Sequence, residues 1–121
     1  MKISEKKKAI EEYENQLINQ CGDMDEKRRE IAKGICKVTA FSYIEALELM
    51  EDVLKNGWVE MFSQSDKAEP YERTRPTSDI LMRLFEKYSK GIAQLNGMLP
   101  SSAVGIKTDD TLMSFIASRR D

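Results

Sequence analysis

The chain has 121 residues, enough for one domain with a modest core and too few for two of ordinary size. With 40% apolar, 33% charged and 7% aromatic residues it fits a helix-rich protein rather than a sheet sandwich, and a net charge of −2 gives no global pull toward nucleic acid or anionic lipid. Histidine is absent, which excludes Ser-His-Asp and Cys-His catalysis and His-ligated zinc.

Residues 4–20 read as a first helix. Ser4 is placed to cap it after Ile3, Lys7 stands where a capping box wants Glu, and Ala9, Ile10, Tyr13, Leu17 and Ile18 make one face. Gly22 breaks the chain. Asp23 can cap a long helix over 23–56, with Asp25 and Glu26 at the positive end of its dipole. Two helices joined by Cys21-Gly22-Asp23 also fit a helix-turn-helix, a pattern that any helical hairpin shares.

Along the long helix, Met24, Ile31, Ile35, Val38, Ser42, Leu49 and Val53 recur at helical spacing, and Phe41, Ile44, Leu47, Met50 and Leu54 widen the stripe. At 1.5 Å per residue such a helix extends about 45–50 Å, so it needs apolar partners along its length, in this chain or in other copies. Asn56-Gly57 closes it with residues that tolerate a left-handed backbone. Its first half carries Lys27, Arg28, Arg29, Lys33 and Lys37. Arg29, Lys33 and Lys37 are four apart and stack on one face, as a phosphate-tracking stripe requires; a solvated face with local ion pairs, such as Asp25 with Arg29, reads the same way. The second half reverses sign, with Glu45, Glu48, Glu51 and Asp52 against Lys55.

Trp58–Phe62 alternates, and Tyr71–Thr74 is its partner across the polar 63–69 connection, Pro70 keeping the second strand at an edge. This predicts a β-hairpin within 57–75 that packs on the helices through Trp58 and Phe62. Arg75-Pro76 starts the next helix, 76–96, whose Ile80, Leu81, Leu84, Phe85, Tyr88, Ile92 and Leu95 form a continuous apolar face before Asn96-Gly97 stops it. The predicted fold is therefore mainly α: an antiparallel long-helix hairpin with a small β-hairpin insertion, plus short N-terminal and C-terminal helices. Segments 1–22, 23–56, 57–75 and 76–97 make one helical domain, 1–105. Residues 106–121 form a tail in which Asp109 can cap a short amphipathic helix with Leu112, Met113, Phe115 and Ile116, ending in Arg119-Arg120. Too short to be stable alone, it is either a flap docked on its own core or a peptide that folds on a partner through Leu112, Phe115, Ile116, Arg119 and Arg120.

Cys21 and Cys36 stand too far apart along the chain for a redox or metal pair and read as small buried side chains. The sequence contains no Gly-rich loop ending in Gly-Lys-Ser/Thr, and its carboxylates are scattered over helix faces; neither a cofactor, a metal nor enzymatic activity is expected. No apolar run approaches the roughly 20 residues of a membrane span, and Met1–Lys8 lacks the apolar segment of a secretion signal, so a cytoplasmic location without membrane contact is expected.

Two helices, an insertion opened by Asn56-Gly57, a helix start at Arg75-Pro76 and the ending Gly97-Met98-Leu99-Pro100-Ser101-Ser102 follow one another in this order. In these features residues 10–105 resemble the small subunit of a tailed-phage terminase, of the type whose last core helix ends in Gly-Leu-Thr-Pro-Ser-Ser. The chain departs from that pattern at Met98-Leu99 and in Ala103-Val104, where a basic residue is usual. The resemblance implies a non-catalytic DNA-packaging component in the cytoplasm of a bacterial host. Such proteins assemble into rings, for which roughly eight to eleven copies fit a closed symmetric assembly. They bind double-stranded DNA and hand it to a large subunit that carries the ATPase and nuclease, which would then be the tail's partner. Charge placement assigns the DNA contacts to Lys6, Lys7, Lys8, Lys27, Arg28, Arg29, Lys33 and Lys37, acting on the phosphate backbone and repeated around the ring. The alternative is a helical oligomeric adaptor without a nucleic-acid role, which the pI near 5.3 and the acidic second half of the long helix favour.

Overall fold

In a computed structural model, which describes residues Met1–Arg119, the chain is mainly helical. Helix α1 (Ile3–Gln20) leads into the long α2 (Glu26–Asn56); strands β1 (Val59–Phe62) and β2 (Tyr71–Thr74) follow, then α3 (Pro76–Met98) and the short α4 (Asp110–Ala117). This is the predicted architecture, with several local differences.

The caps shift first. Helix α1 begins one residue before Ser4, with Lys2 in the cap position and no side-chain bond to close it. The long helix is capped by Asp25 rather than Asp23: the Asp25 carboxylate accepts the Arg28 N–H at 2.9 Å, and Gly22 turns the chain with φ 64°. At the far end Gly57 adopts φ 85°, as Asn56-Gly57 predicts. Helix α3 does not stop at Asn96-Gly97. Among the described residues only Gly22 and Gly57 have positive φ, and the Asn96 side chain instead accepts the Ile106 N–H at 2.8 Å. The helix runs on to Met98 and ends because Leu99 precedes Pro100, which drives its backbone to φ −74°, ψ 152°.

α2 and α3 are antiparallel, as two long-range bonds record. Arg28 Nη2 donates to the Met98 carbonyl at 2.7 Å near one end, and Arg75 Nη2 meets Asp52 Oδ2 at 2.8 Å near the other. Helix α1 packs along α2 as well. A helix with two helical neighbours has a broad buried arc, and close approach selects small side chains within it: α2 buries Ala32, Cys36, Thr39, Ala40, Ser42 and Ala46 beside Tyr43, Ile44 and Val53. The expected stripe is therefore misplaced in part. Ile31, Val38, Phe41 and Leu54 point outward, and Ile80 of α3 is also exposed.

Among the described residues, two clusters make the core. Leu17, Cys21, Ala32, Cys36, Ala40, Leu95 and Ile106 fill one end; Tyr43, Ile44, Ala46, Val53, Leu81, Tyr88 and Leu112 fill the other. Tyr13 joins them, its ring 4.6 Å from Tyr43, which lies 4.9 Å from Tyr88. Burial raises all three phenols, Tyr43 to about 12.

The hairpin has the register Val59↔Thr74, Glu60↔Arg73, Met61↔Glu72 and Phe62↔Tyr71. Of its two expected anchors, Trp58 stacks on Phe115 of α4 at 5.3 Å, whereas Phe62 stays within the hairpin. Its ring meets Tyr71 edge-on at 5.9 Å and carries the Arg73 guanidinium 3.5 Å above it, a cation–π contact that the Arg73–Glu60 bond of 2.7 Å holds in place.

Arg75 fastens the junction. Besides Asp52 it reaches the Gly57 carbonyl at 2.8 Å, and its own N–H donates to the Trp58 carbonyl at 2.9 Å. The Arg75 guanidinium holds the Asp52 carboxyl below its ordinary value of 3.8, with Asn56 assisting. A group depressed on folding contributes stability above its ordinary pKa and loses it as pH falls through the folded value. Arg75→Ala is therefore expected to lower the urea midpoint at neutral pH, and the deficit against wild type should shrink below the ordinary carboxylate range. A deficit independent of pH would assign the effect to the Gly57 bond alone.

Candidate nucleic-acid interface

The eight predicted cations meet different fates. Lys6 lies between α1 and α2, its Nζ 2.9 Å from Glu45 and 3.0 Å from Glu48, and those carboxylates raise its pKa. It ties the two helices together and neutralises part of the acidic second half of α2. Lys7 and Lys8 are exposed on α1. Arg28 is bonded to the Met98 carbonyl at the end of α3, and Arg29 donates to the Gly22 carbonyl, in the turn after α1, at 3.3 Å; neither stands free. Lys33 pairs with Glu30 at 3.6 Å, an exposed pair of small energetic weight. Lys27 and Lys37 are exposed.

The stripe Arg29, Lys33 and Lys37 keeps its four-residue spacing. Arg29 and Lys33 border the contact between α2 and the end of α1, beside Ile18, Cys21, Ala32 and Cys36. Lys27, Ile31, Gly34 and Val38, spaced four, three and four, share the adjoining outer face. The first half of α2 thus presents cations and exposed apolar side chains side by side. Val38 stands as a ridge between two open grooves. One, of about 470 Å³, is lined by Ile31, Gly34, Ile35, Val38 and Thr39 of α2 and by Lys87, Lys90, Gly91 and Gln94 of α3. The other, of about 300 Å³, lies toward α1 between Ile10, Glu14, Lys37, Val38 and Phe41.

Lys87 and Lys90 did not figure among the expected contacts. Their spacing of three puts them on one side of α3, but which side faces the ridge depends on how α3 rolls against α2. The buried Gly91 sets that roll, and no periodicity in α3 alone reveals it.

Cys21 and Cys36, distant in sequence, are brought together across α1 and α2. Both are free and buried, and burial with the neighbouring Cys21 thiol pushes Cys36 up to about 12. Their sequence separation concealed this pairing, because it depends on how the two helices fold back on each other.

The tail is docked on its own core. Asp109 caps α4 by accepting the Thr111 N–H at 2.8 Å, Leu112 is fully buried, and Phe115 and Ile116 pack on the second cluster. The Arg119 guanidinium lies 4.8 Å from the Trp58 ring. Of the five tail residues assigned to a partner, four are thus engaged within the chain, and Arg120 lies outside the described residues. Among the described residues, no helix is long and apolar enough to cross a membrane.

Comparison with protein families, with curated proteins and with solved structures finds no match to this chain.

Proposed function

We propose that the protein is the small subunit of a tailed-phage terminase, a non-catalytic component that assembles into a ring, binds double-stranded DNA through its phosphates and regulates the large packaging ATPase/nuclease subunit. The observation that carries this reading is the outer face of α2's first half, where Lys27, Lys33 and Lys37 adjoin the exposed Ile31, Val38 and Phe41. Exposed apolar side chains call for a protein neighbour, and adjoining lysines repeated by assembly add their phosphate contacts. The order of the Asn56-Gly57, Arg75-Pro76 and Pro100-Ser101-Ser102 motifs supports the same family.

The test combines mass and DNA binding. Light scattering behind size exclusion is expected to give one species of roughly eight to eleven copies. DNA affinity should fall with salt, with a log–log slope of about −0.9 for each phosphate contacted. Lys27→Glu/Lys33→Glu/Lys37→Glu removes exposed cations and spares Arg28, whose bond to Met98 is structural. The triple variant is expected to keep its helix content and lose DNA retention at low salt; unchanged retention would overturn the proposed contacts. The adaptor reading draws support from the internal engagement of Lys6 and Arg28, and it requires that the wild-type protein ignore DNA at every salt concentration.

A further inference from the structure

The exposed apolar ridge of α2 lacks a partner among the described residues, and a second surface at the other end of the molecule complements it. Ile31 and Val38 remain 60% and 58% exposed beside the groove that Lys87 and Lys90 rim. Among the described residues no carboxylate lines that groove, and Gly34 leaves its floor open to a close neighbour. Neither Lys87 nor Lys90 makes an ion pair among the described residues.

The hairpin has the opposite character. Strand residues alternate between faces, so Glu60, Phe62, Tyr71 and Arg73 share one side and satisfy one another there. The other side holds Val59 and Met61, 46% and 66% exposed, opposite Thr74 and Glu72. Glu72 and the neighbouring Glu69 are exposed and unpaired among the described residues, and the tip adds Asp66 against one cation, Lys67. An apolar face with carboxylates thus stands at one end of the chain, and an apolar face with ammonium groups toward the other.

We infer that the outer hairpin face of one copy docks on the Ile31/Val38 groove of the next, with Val59 and Met61 against the ridge and Glu69 and Glu72 beside Lys87 and Lys90. The inference rests on the ring reading and names the contact that would build it. Two arguments select a second copy placed head to tail. The helix that carries the hairpin ends at Asn56, eighteen residues beyond Val38 and about 27 Å away along its axis, so the hairpin cannot fold back into its own groove. Symmetric packing of groove on groove would bring the Lys87/Lys90 pairs of two copies together, and like charges in register disfavour it. Contact between two different patches repeats from copy to copy and closes into a ring when the rotation permits.

Charge reversal and its compensation test this. Lys87→Glu/Lys90→Glu and, separately, Glu69→Lys/Glu72→Lys are each expected to reduce the scattering mass to that of the 13.9 kDa chain at concentrations where wild type is assembled. The variant carrying all four changes is expected to reassemble, because the attraction is restored with its sign inverted. All four positions are exposed, so far-UV circular dichroism should stay at the wild-type level. Met61→Asp, which removes the most exposed apolar group of the docking face, should dissociate the assembly independently of the lysines. Persistent assembly in the reversal variants or in Met61→Asp overturns the docking and leaves the ring reading intact. Failure of the fourfold variant to reassemble overturns the pairing of these carboxylates with these lysines. A wild-type monomer, with and without DNA, removes the ring and this contact together.

Discussion

Gly91→Leu is expected to destabilise the protein by about 3 kcal/mol, at the upper end of what overpacking a close helix contact costs. A Cβ at Gly91 would lie 1.9 Å from Thr39 Oγ1, 3.0 Å from Thr39 Cβ and 3.1 Å from Thr39 Cγ2. Thr39 is itself buried on α2, so it has no open space to rotate into, and relief requires α3 to move away from α2. That movement would loosen both core clusters, because Leu81, Tyr88 and Leu95 lie on the same helix. For a domain of this size the melting temperature should fall on the order of 10 °C. Gly91→Ala separates the steric term from helix propensity, since alanine in a helix interior gains about 1 kcal/mol over glycine. The single alanine variant should still be destabilised. Thr39→Ala/Gly91→Ala, which removes the oxygen and the methyl group but keeps the Cβ at 3.0 Å, should recover most of the loss. A double-mutant cycle is expected to show coupling above about 0.5 kcal/mol. Additive effects would mean that the helices adjust freely at this crossing.

The same crossing explains what could be read from the sequence and what could not. Local chemistry located the elements: Asn56-Gly57 ends α2 with a left-handed glycine, Pro76 opens α3, and the alternation after Trp58 marks the hairpin. The buried face of α2 was less legible. Periodicity weights large apolar residues, and it pointed to Ile31 and Val38; burial between two close helices instead favours Ala32, Cys36, Thr39, Ala40 and Ala46. The expected stop at Gly97 failed for a comparable reason. A glycine permits a left-handed cap without requiring one, and here Pro100 sets the boundary, so that Met98, one residue beyond Gly97, is the last helical residue.

The candidate interface divides similarly. Helical spacing of Arg29, Lys33 and Lys37 was readable, because three- and four-residue steps follow from the helix itself. Partners supplied by tertiary contact were not. Arg28 reaches a carbonyl seventy residues away, and Lys6 finds Glu45 and Glu48 across the α1–α2 contact. A cation's availability to phosphate depends on such partners as much as on its position. The most useful sequence signal for the docking groove was the surplus of apolar residues on α2 beyond what one antiparallel partner can cover.

Leu112→Ala is expected to release α4 from the core without unfolding the rest of the molecule. Leu112 is fully buried among Tyr43, Ile44, Leu81 and Tyr88, and truncating such a side chain costs about 2–5 kcal/mol. An eight-residue helix has no independent stability in water, so the loss falls on the docking of α4. The contacts of α1 and α3 with α2 remain, with Leu17, Leu81 and Leu95 in place. The chain's one tryptophan reports the event, because Trp58 stacks on Phe115 at 5.3 Å and lies 4.8 Å from the Arg119 guanidinium. Undocking should shift its emission to the red and raise its quenching by acrylamide, while circular dichroism loses about one short helix. Leu95→Ala provides the contrast: a side chain equally buried, but in the other core cluster, which neither Trp58 nor α4 joins, so its removal should lower the global melting temperature and leave the emission of the native state unchanged. If Leu112→Ala instead lowers the global transition as much as Leu95→Ala with no change in Trp58, α4 belongs to the cooperative unit. If the tail detaches as expected, Phe115 and Ile116 become available to a partner helix or groove. Docking and partner binding would then compete for the same side chains, and the cost of undocking would set how strongly a partner must bind to capture them.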